Sequence, residues 1–470
     1  MKKKLISFLL TFFIFGCSYI PKIEKNELIS VPSITSNPTT NVQQLKKDWW
    51  KNCNDPTLNQ LITLILKSNS DLKISQYNIE KSIEAITLAA SQGGVSIDGV
   101  GDIQRQHSSK FGTVPPPFNG KFFNSGSLNL KGTYNLDIFN KIVSLKEEAK
   151  YRSQAAILSK DLITLNISIE TAKLYQYWKY LQFEKVNLED QYSIMTSLVD
   201  LISLKYKIGN GIQEDVLTAE NNLRDINNLI QQNKINQKIV LNSLIELSGN
   251  KYTDEISNIL KKSENIQNLN IEIPDTISSD IIIHRPDVAY YLTLINAQDE
   301  HLKSAKAGFY PHFSISGEYG FDAVGLDKVL HKSSLAGLIG ASIYLPIFNM
   351  GAVRSTYKIA GIDLNIAIEQ YNKTVLSSFT NINNELYKVN SLRNIIKEND
   401  TNFKNDTTTF NNNLKKYQIG NISKFQYLSA KLQWLNSQLN NEQQHFNYTT
   451  EKINFISSIG GITIGGNNGR

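Results

Sequence analysis

Lys205-Tyr206-Lys207-Ile208-Gly209-Asn210 reads as the end of a helix, and about 210 residues later Lys416-Tyr417-Gln418-Ile419-Gly420-Asn421 repeats it. The same offset carries Leu217 onto Leu428 and Ala219 onto Ala430. Upstream, Ile138-Phe139-Asn140 recurs as Ile347-Phe348-Asn349. Tandem duplication of one structural plan is the economical explanation.

Working outward from the repeated hexapeptide, residues 141–208 and 362–419 contain neither Gly nor Pro. Leu174, Leu181, Leu188, Met195 and Ile202 fall at strict seven-residue intervals, with Trp178, Tyr192 and Val199 at the companion position. This is a heptad seam, broken once by Lys185. At 1.5 Å per residue such a helix would be about 100 Å long. Gly209 and Gly420 stand where a helix end needs a left-handed residue, which glycine supplies without a Cβ clash. Beyond the first turn, Glu214 and Asp215 suit the positive end of a returning helix, whose apolar face is Val216, Leu223, Ile226, Ile230, Leu241 and Leu244. Each half is predicted to be a long antiparallel helical hairpin with a capped tip.

Between the helices the period changes to two. Phe313, Ile315, Gly317, Tyr319 and Phe321 share one strand face; His312, Ser314, Ser316 and Glu318 share the other. Leu128, Leu130, Gly132, Tyr134, Leu136 and Ile138 alternate with Asn129, Lys131, Thr133, Asn135 and Asp137. Residues 95–104 and 335–347 alternate more loosely. Strands of about ten residues with one apolar and one polar face have transmembrane β-barrel geometry. The alternative is a soluble sheet whose apolar face lies under a helix. Four strands cannot close a barrel, and an open edge in lipid leaves backbone groups unpaired at several kcal/mol each, so a membrane barrel requires several subunits. On that reading Asn129, Lys131, Asp137, Ser314 and Glu318 face the lumen.

The N-terminus has its own logic. Lys2, Lys3 and Lys4 precede an apolar run, residues 5–15, too short to span a bilayer. It ends Gly16-Cys17, which resembles the lipobox of bacterial lipoproteins. The resemblance implies cleavage after Gly16 and acylation of Cys17; the alternative is an ordinary signal peptide. With Cys17 acylated, Cys53 has no disulfide partner. Residues 30–40 have the composition of an extended tether. The expected organisation is a signal peptide (1–16), a lipid-anchored tether (17–54), a first repeat (55–270), a second repeat (271–460) and a flexible tail (461–470).

Composition excludes other classes. The 470 residues are 41% hydrophobic and 20% charged, with no apolar run of about 18 residues beyond the N-terminus, so this is not a helical membrane protein. The formal charge of +6 includes the three lysines of the start segment, and the remaining lysines alternate with acids, so the footprint of nucleic-acid binding is missing. His107, His284, His301, His312, His331 and His445 have no metal-ligand spacing, and no phosphate loop or nucleophile elbow occurs. No catalytic residue, metal or cofactor is assigned.

The chain resembles the outer-membrane efflux protein family (TolC-like), in its lipoprotein branch. Trp49-Trp50, Asp55-Pro56 and Leu58, Leu61 and Ile62 resemble the family's opening helix, with Asp55 as N-cap and Pro56 in the first turn. Tyr134-Asn135-Leu136-Asp137-Ile138-Phe139 resembles the strand-to-helix signature. His284-Arg285-Pro286-Asp287 resembles the Arg-Pro-Asp element, which here most simply starts a helix. Pro346-Ile347-Phe348-Asn349-Met350-Gly351 and Ile459-Gly460-Gly461 resemble the later glycine elements.

The resemblance implies a mixed α/β membrane protein. Its hairpins would form a periplasmic tunnel, and four strands per chain would build a trimeric, twelve-stranded barrel in the outer membrane. It further implies a homotrimer, held to outer-membrane lipid through acylated Cys17, that works with a periplasmic adaptor (membrane fusion) protein and an inner-membrane efflux pump to pass drugs or other solutes outward. Alternatives are the outer-membrane component of a protein-secretion system, a periplasm-bridging structural lipoprotein, or an exported enzyme, which would lack any visible nucleophile or metal constellation. The implied adaptor contact or gate comprises Tyr206, Gly209, Glu214, Asp215, Tyr417, Gly420, Asn421 and Gln426. Family tunnels often close on acids near the second tip, and the second tip here has none. Closure is therefore expected to use helix packing and polar side chains such as Asn421 and Gln426.

Overall fold

The computed structural model describes residues 20–32, 48–262, 269, 271, 273 and 277–461. Gly16 and Cys17, residues 33–47 of the expected tether and residues 462–470 lie outside them. A 3₁₀ turn at Trp49–Cys53 leads into α1 (Pro56–Ser68) and α2 (Ser70–Ser91), then β1 (Val95–His107) and β2 (Phe122–Leu136). A hairpin follows, α3 (Lys141–Lys207) and α4 (Gln213–Leu247), then the short α5 (Thr253–Lys261) and α6 (Ile281–His284). The second round is α7 (Pro286–Ala307), β3 (His312–Val324), β4 (Leu335–Tyr344), α8 (Ala352–Gln418) and α9 (Lys424–Ser458).

The duplication is written into the helix lengths. α3 and α8 both have 67 residues, α4 and α9 both have 35, and α2 and α7 both have 22. Among the described residues no helix is long and apolar enough to cross a membrane. Compactness does not follow the repeat, since the chain forms two units that each draw on both halves.

The unit of residues 1–28, 78–157 and 291–371 holds the sheet. Its strands run in the order β1-β2-β3-β4, all antiparallel. The expected alternation at 335–347 stops at Tyr344, and Ile138 lies beyond the end of β2. Beside the sheet, Leu302, Tyr357, Ala360, Leu364 and Ile368 form a small core joined by Ile20, Ile23 and Phe309.

A charged cluster crosses the same unit. Glu148 accepts from Arg152 Nε at 2.9 Å and faces His301 Nδ1 at 3.0 Å. The Glu148 hydrogen bond raises the His301 pKa against the opposing effect of burial, and the Asp363 carboxylate adds to it. Burial opposes ionisation of Glu148, but its bonds to His301 and Arg152 outweigh that and hold the carboxyl below its ordinary range. The imidazolium contribution is thus complete below the unfolded histidine value of about 6.5 and is lost as pH rises through the raised folded value. The carboxylate contribution is complete above the unfolded value of about 4.3 and is lost as pH falls through the lowered one. His301→Gln should therefore cost most between about pH 4.5 and 6.5, on the order of 0.5–1 kcal/mol after solvent screening at the partly exposed imidazole. Thermal unfolding at pH 5.5 and pH 9 checks this: a loss that is equal at both would remove the ion pair from the account.

The unit of residues 29–77, 158–290 and 372–470 has its core around Trp49, Leu58, Leu61, Ile62, Ile65, Ala172, Leu181, Leu244 and Ile256. Asp55 caps α1 as expected: its Oδ1 accepts from Leu58 N at 3.0 Å, and its Oδ2 accepts from the Tyr175 hydroxyl at 3.1 Å. Trp49 Nε1 donates to Ser168 Oγ at 2.9 Å, so the indole is buried with its polar edge satisfied. Cys53 is buried here, and desolvation with Asp55 nearby pushes its thiol up to about 12, which makes it an inert packing residue.

The heptad seam is partly re-drawn. Leu181, Leu188 and Met195 are buried as expected, but the companion positions Tyr192 and Val199 are not. Asn187, Gln191, Ile194 and Leu198 fill that row instead. Its polar members are bonded: Asn187 Nδ2 donates to Leu435 O at 3.0 Å, and Gln191 donates to Asn187 Oδ1 at 2.7 Å. Across the hairpin, Asn233 Nδ2 donates to Leu181 O at 3.0 Å. Buried amides that reach a neighbouring helix backbone set the relative register of the two helices.

Candidate functional site

Three places carry the functional geometry: the two faces of the sheet, the hairpin tips and the junction around Arg285.

The register places all the alternating patterns in phase. Leu128, Leu130, Gly132, Tyr134 and Leu136 lie opposite Phe321, Tyr319, Gly317, Ile315 and Phe313. Val95 and Ile97 of β1, and Leu335, Ile339 and Ile343 of β4, fall on that same face. The face is uncovered: Ile339 is 83% exposed, Ile97 72% and Leu130 61%. A helix-covered soluble sheet would have buried these side chains. The opposite face is polar over most of β1, β2 and β3, also carries Val100 and Leu338, and is cross-linked by hydrogen bonds. Asn129 Nδ2 donates to Glu318 Oε1 at 2.6 Å, Lys131 sits opposite both Asp98 and Glu318, and the Ser314 and Ser342 hydroxyls meet at 2.7 Å.

Asp137 is a correction to the expected polar face. It lies past the end of β2, and its Oδ2 accepts from Ile142 N at 2.9 Å and Val143 N at 2.8 Å. Those are orphan donors at the start of α3, so this carboxylate caps a helix. β1 and β4 are the outer strands of the four, and each has one edge without a strand partner among the described residues.

At the tips, the two halves use one backbone motif. Asn210 N donates to Lys205 O at 2.9 Å and Gly209 N to Tyr206 O at 3.0 Å; Asn421 N donates to Lys416 O at 2.8 Å and Gly420 N to Tyr417 O at 3.0 Å. These paired bonds satisfy the last carbonyls of each long helix, with Gly209 at φ +79° and Gly420 at φ +80°. A Cβ on either would meet nothing within 4 Å, so only the backbone conformation demands glycine there.

The return helices start differently. α4 has Ile212 at its N-cap with no side-chain bond, and Glu214 and Asp215 stand in its first turn. α9 has a capping box: Ser423 Oγ accepts from Gln426 N at 3.2 Å, and Gln426 Oε1 accepts from Ser423 N at 2.9 Å. Gln426, expected to contribute to closure, is thus tied to its own helix start, whereas Asn421 is exposed. The Ser-x-x-Gln spacing at 423–426 is a capping signal legible in the sequence.

The tips also meet one another. The Lys205 ammonium lies over the Phe425 ring at 4.7 Å, beside a cleft of about 420 Å³ lined by Met195, Leu198, Ile202, Asp215, Ala219 and Phe425. Tyr417 stacks on Tyr427 at 4.7 Å. Of the expected tip residues, Asp215 lines the cleft and Tyr206 is exposed.

The third place joins two motifs far apart in sequence. Arg285 Nε and Nη2 donate to Asp287 Oδ1 and Oδ2 at 3.0 and 2.6 Å, and Nη1 donates to the Ser458 carbonyl at the end of α9. Pro286 and Asp287 open α7, as expected. A Cβ on Gly460 would stand 3.0 Å from Pro286 Cδ, and one on Gly461 would stand 2.7 Å from Leu165 Cδ1. Gly461 therefore belongs to the packed body, not to a loose tail. The Arg-Pro-Asp element and the terminal glycines form one clamp.

Residues 277–461 match the family described as outer membrane efflux protein. The chain is 24% identical over 482 residues to the probable efflux pump outer membrane protein TtgC of Pseudomonas putida, covering 98% of this chain and 96% of that one. It is 23% identical over 357 residues to the multidrug resistance outer membrane protein MdtQ of Escherichia coli, covering 73% of each. Its fold is shared with the Campylobacter jejuni CmeC outer membrane channel (TM-score 0.80, 22% identity, 96% of each chain). It is also shared with the outer membrane protein VceC of Vibrio cholerae (TM-score 0.75, 20% identity, 89% of this chain and 99% of that one). With the duplicated hairpins and the two-faced sheet, these matches make the chain similar to outer membrane efflux proteins along nearly its whole length.

Proposed function

We propose that this protein is the outer-membrane channel of a tripartite efflux system, a passive conduit that receives drugs or other small solutes from an inner-membrane pump through a periplasmic adaptor. The observation that carries this reading is the sheet, with one uncovered apolar face and one hydrogen-bonded polar face. Lipid on one side and water on the other is the environment such a sheet fits. The open edges of β1 and β4 call for neighbouring copies, and three chains supply twelve strands. Acylation of Cys17 adds a lipid anchor in the outer membrane. Asn129, Lys131, Ser314 and Glu318 then line the lumen. The efflux reading is favoured over protein secretion by the lipobox and the Arg285-Pro286-Asp287 element, and by the similarity to TtgC, a probable efflux pump outer membrane protein, and to MdtQ, a multidrug resistance outer membrane protein.

The hairpin tips, residues 206–215 and 417–426, are the proposed adaptor-side end, with the Tyr206, Gly209, Glu214 and Asp215 turn beside the Tyr417, Gly420 and Asn421 turn. Gly209→Val and Gly420→Val test this. A residue forced into the left-handed region costs about 1–2 kcal/mol and more when β-branched, enough to misplace a turn but not to unfold 67-residue helices. The expected result is normal trimer and membrane insertion, with drug accumulation raised to that of a deletion strain and tip-to-adaptor cysteine cross-linking lost. Normal efflux with unchanged cross-linking would show that the tips are not the docking end.

A further inference from the structure

The chain just downstream of Cys17 is held against α8 by contacts that a slack tether would not make. Ile20 and Ile23 pack into the core formed by Leu302, Tyr357, Ala360, Leu364 and Ile368. Gly361, inside α8, is the seat for Ile23: a Cβ there would stand 2.7 Å from Ile23 Cγ2 and 2.8 Å from its Cδ1. A helix-interior glycine costs about 1 kcal/mol relative to alanine, so its presence is explained by the side chain it receives.

Beyond the seat, side chains of α8 read the segment's backbone. Asn365 Oδ1 accepts from Asn26 N at 2.9 Å while Asn365 Nδ2 donates to Glu24 O at 2.9 Å. Glu369 Oε1 accepts from Asn26 Nδ2 at 2.7 Å, and Asn372 Oδ1 accepts from Ile29 N at 2.9 Å. Lys25 Nζ pairs with Asp299 Oδ1 on α7 at 2.5 Å. The spacing is commensurate: seven helical residues from Asn365 to Asn372 rise about 10.5 Å, and three extended residues from Asn26 to Ile29 span about 10 Å. Both asparagines can therefore hold the same straight segment.

We propose that residues 20–29 are a strap that locks the acyl anchor onto α8, so that the lipid holds the helix leaving the sheet on a short leash. Only Ser18 and Tyr19 lie between Cys17 and Ile20, so chain length alone limits the two Cα atoms to a separation of about 11 Å. The Ile20 seat includes Phe309, three residues before β3, so the acyl chains enter the bilayer beside the base of the sheet. The location of the lipid rests on the acylation reading; the strap itself does not.

Lys22 and Lys25 make the strap testable, because trypsin cuts only after a segment leaves its binding surface. The full-length protein would be labelled in cells with an alkyne palmitate analogue, purified in detergent and treated with trypsin, following both the label and the mass of the N-terminus. The expected result is slow release from the wild type. Ile23→Asp, which leaves α8 untouched, and Gly361→Leu, which fills the seat, should release the N-terminal peptide at least roughly tenfold faster, with the trimer intact. Equally fast cleavage of the wild type, or equally slow cleavage of both variants, would overturn the strap. Absence of label with slow wild-type cleavage and fast variants would remove the acyl group and leave the strap standing.

Discussion

Replacing Leu130 or Ile315 with arginine should lower the amount of inserted protein sharply, whereas arginine at Asn129 or Ser314 should leave it near the wild-type level. Leu130 and Ile315 lie on the uncovered apolar face, and a cationic side chain near the bilayer midplane costs about 2–4 kcal/mol. In the proposed barrel of three chains, one such residue per chain becomes three. Asn129 and Ser314 lie on the other face, where water solvates a charge, and an arginine at 129 would stand beside the Glu318 carboxylate that Asn129 already contacts. Quantitative immunoblotting of purified outer membranes checks this. The reverse ranking would mean that the sheet faces are inverted or that it never meets lipid.

Arg285→Ala is the second large effect expected, and it acts on the junction between the start of α7 and the end of α9. The guanidinium is mostly buried, holds both oxygens of Asp287 and donates to the last turn of α9. Truncation leaves the Asp287 carboxylate with its bond from Val288 N at 2.9 Å but without the guanidinium fork, and takes the Arg285 donor from the Ser458 carbonyl. Removing one partner of a buried pair costs about 3–5 kcal/mol, and the partial exposure of Asp287 brings this to about 2–4 kcal/mol. Arg285→Lys should recover less than half, since an ammonium cannot form the fork to Asp287 and reach Ser458 together. The loss should be read as a lower thermal midpoint and faster proteolysis at the C-terminal end of α9, with conduction by surviving trimers unchanged. An unchanged midpoint for Arg285→Ala would mean that the Pro286–Gly460 contact alone holds the junction.

Local physics was legible along the chain. Breaker-free runs ending in Gly209 and Gly420 specified the hairpins because a left-handed cap and a heptad are short-range properties, and the structure returns helices of equal length in both halves. Period-two alternation specified the strands and which residues share a face, since the pleat imposes it. Asp55 and Pro56 marked a helix start that the structure contains. Asp137 was misassigned because one residue of alternation cannot show where a strand stops, and its carboxylate serves donors five and six residues ahead.

What only the tertiary structure decided are pairings between segments hundreds of residues apart. The sequence determined that four amphipathic strands exist, but only the register brought their apolar residues to one bare face and set Asn129 against Glu318. It contained Arg285 and Gly460 as separate motifs, and only packing made them a clamp. It read the residues after Cys17 as a tether, because nothing in Ile20, Ile23 or Asn26 announces a partner. That partner is a glycine seat and two asparagines on a helix more than three hundred residues away, chosen by the commensurate rise of a helix and an extended chain.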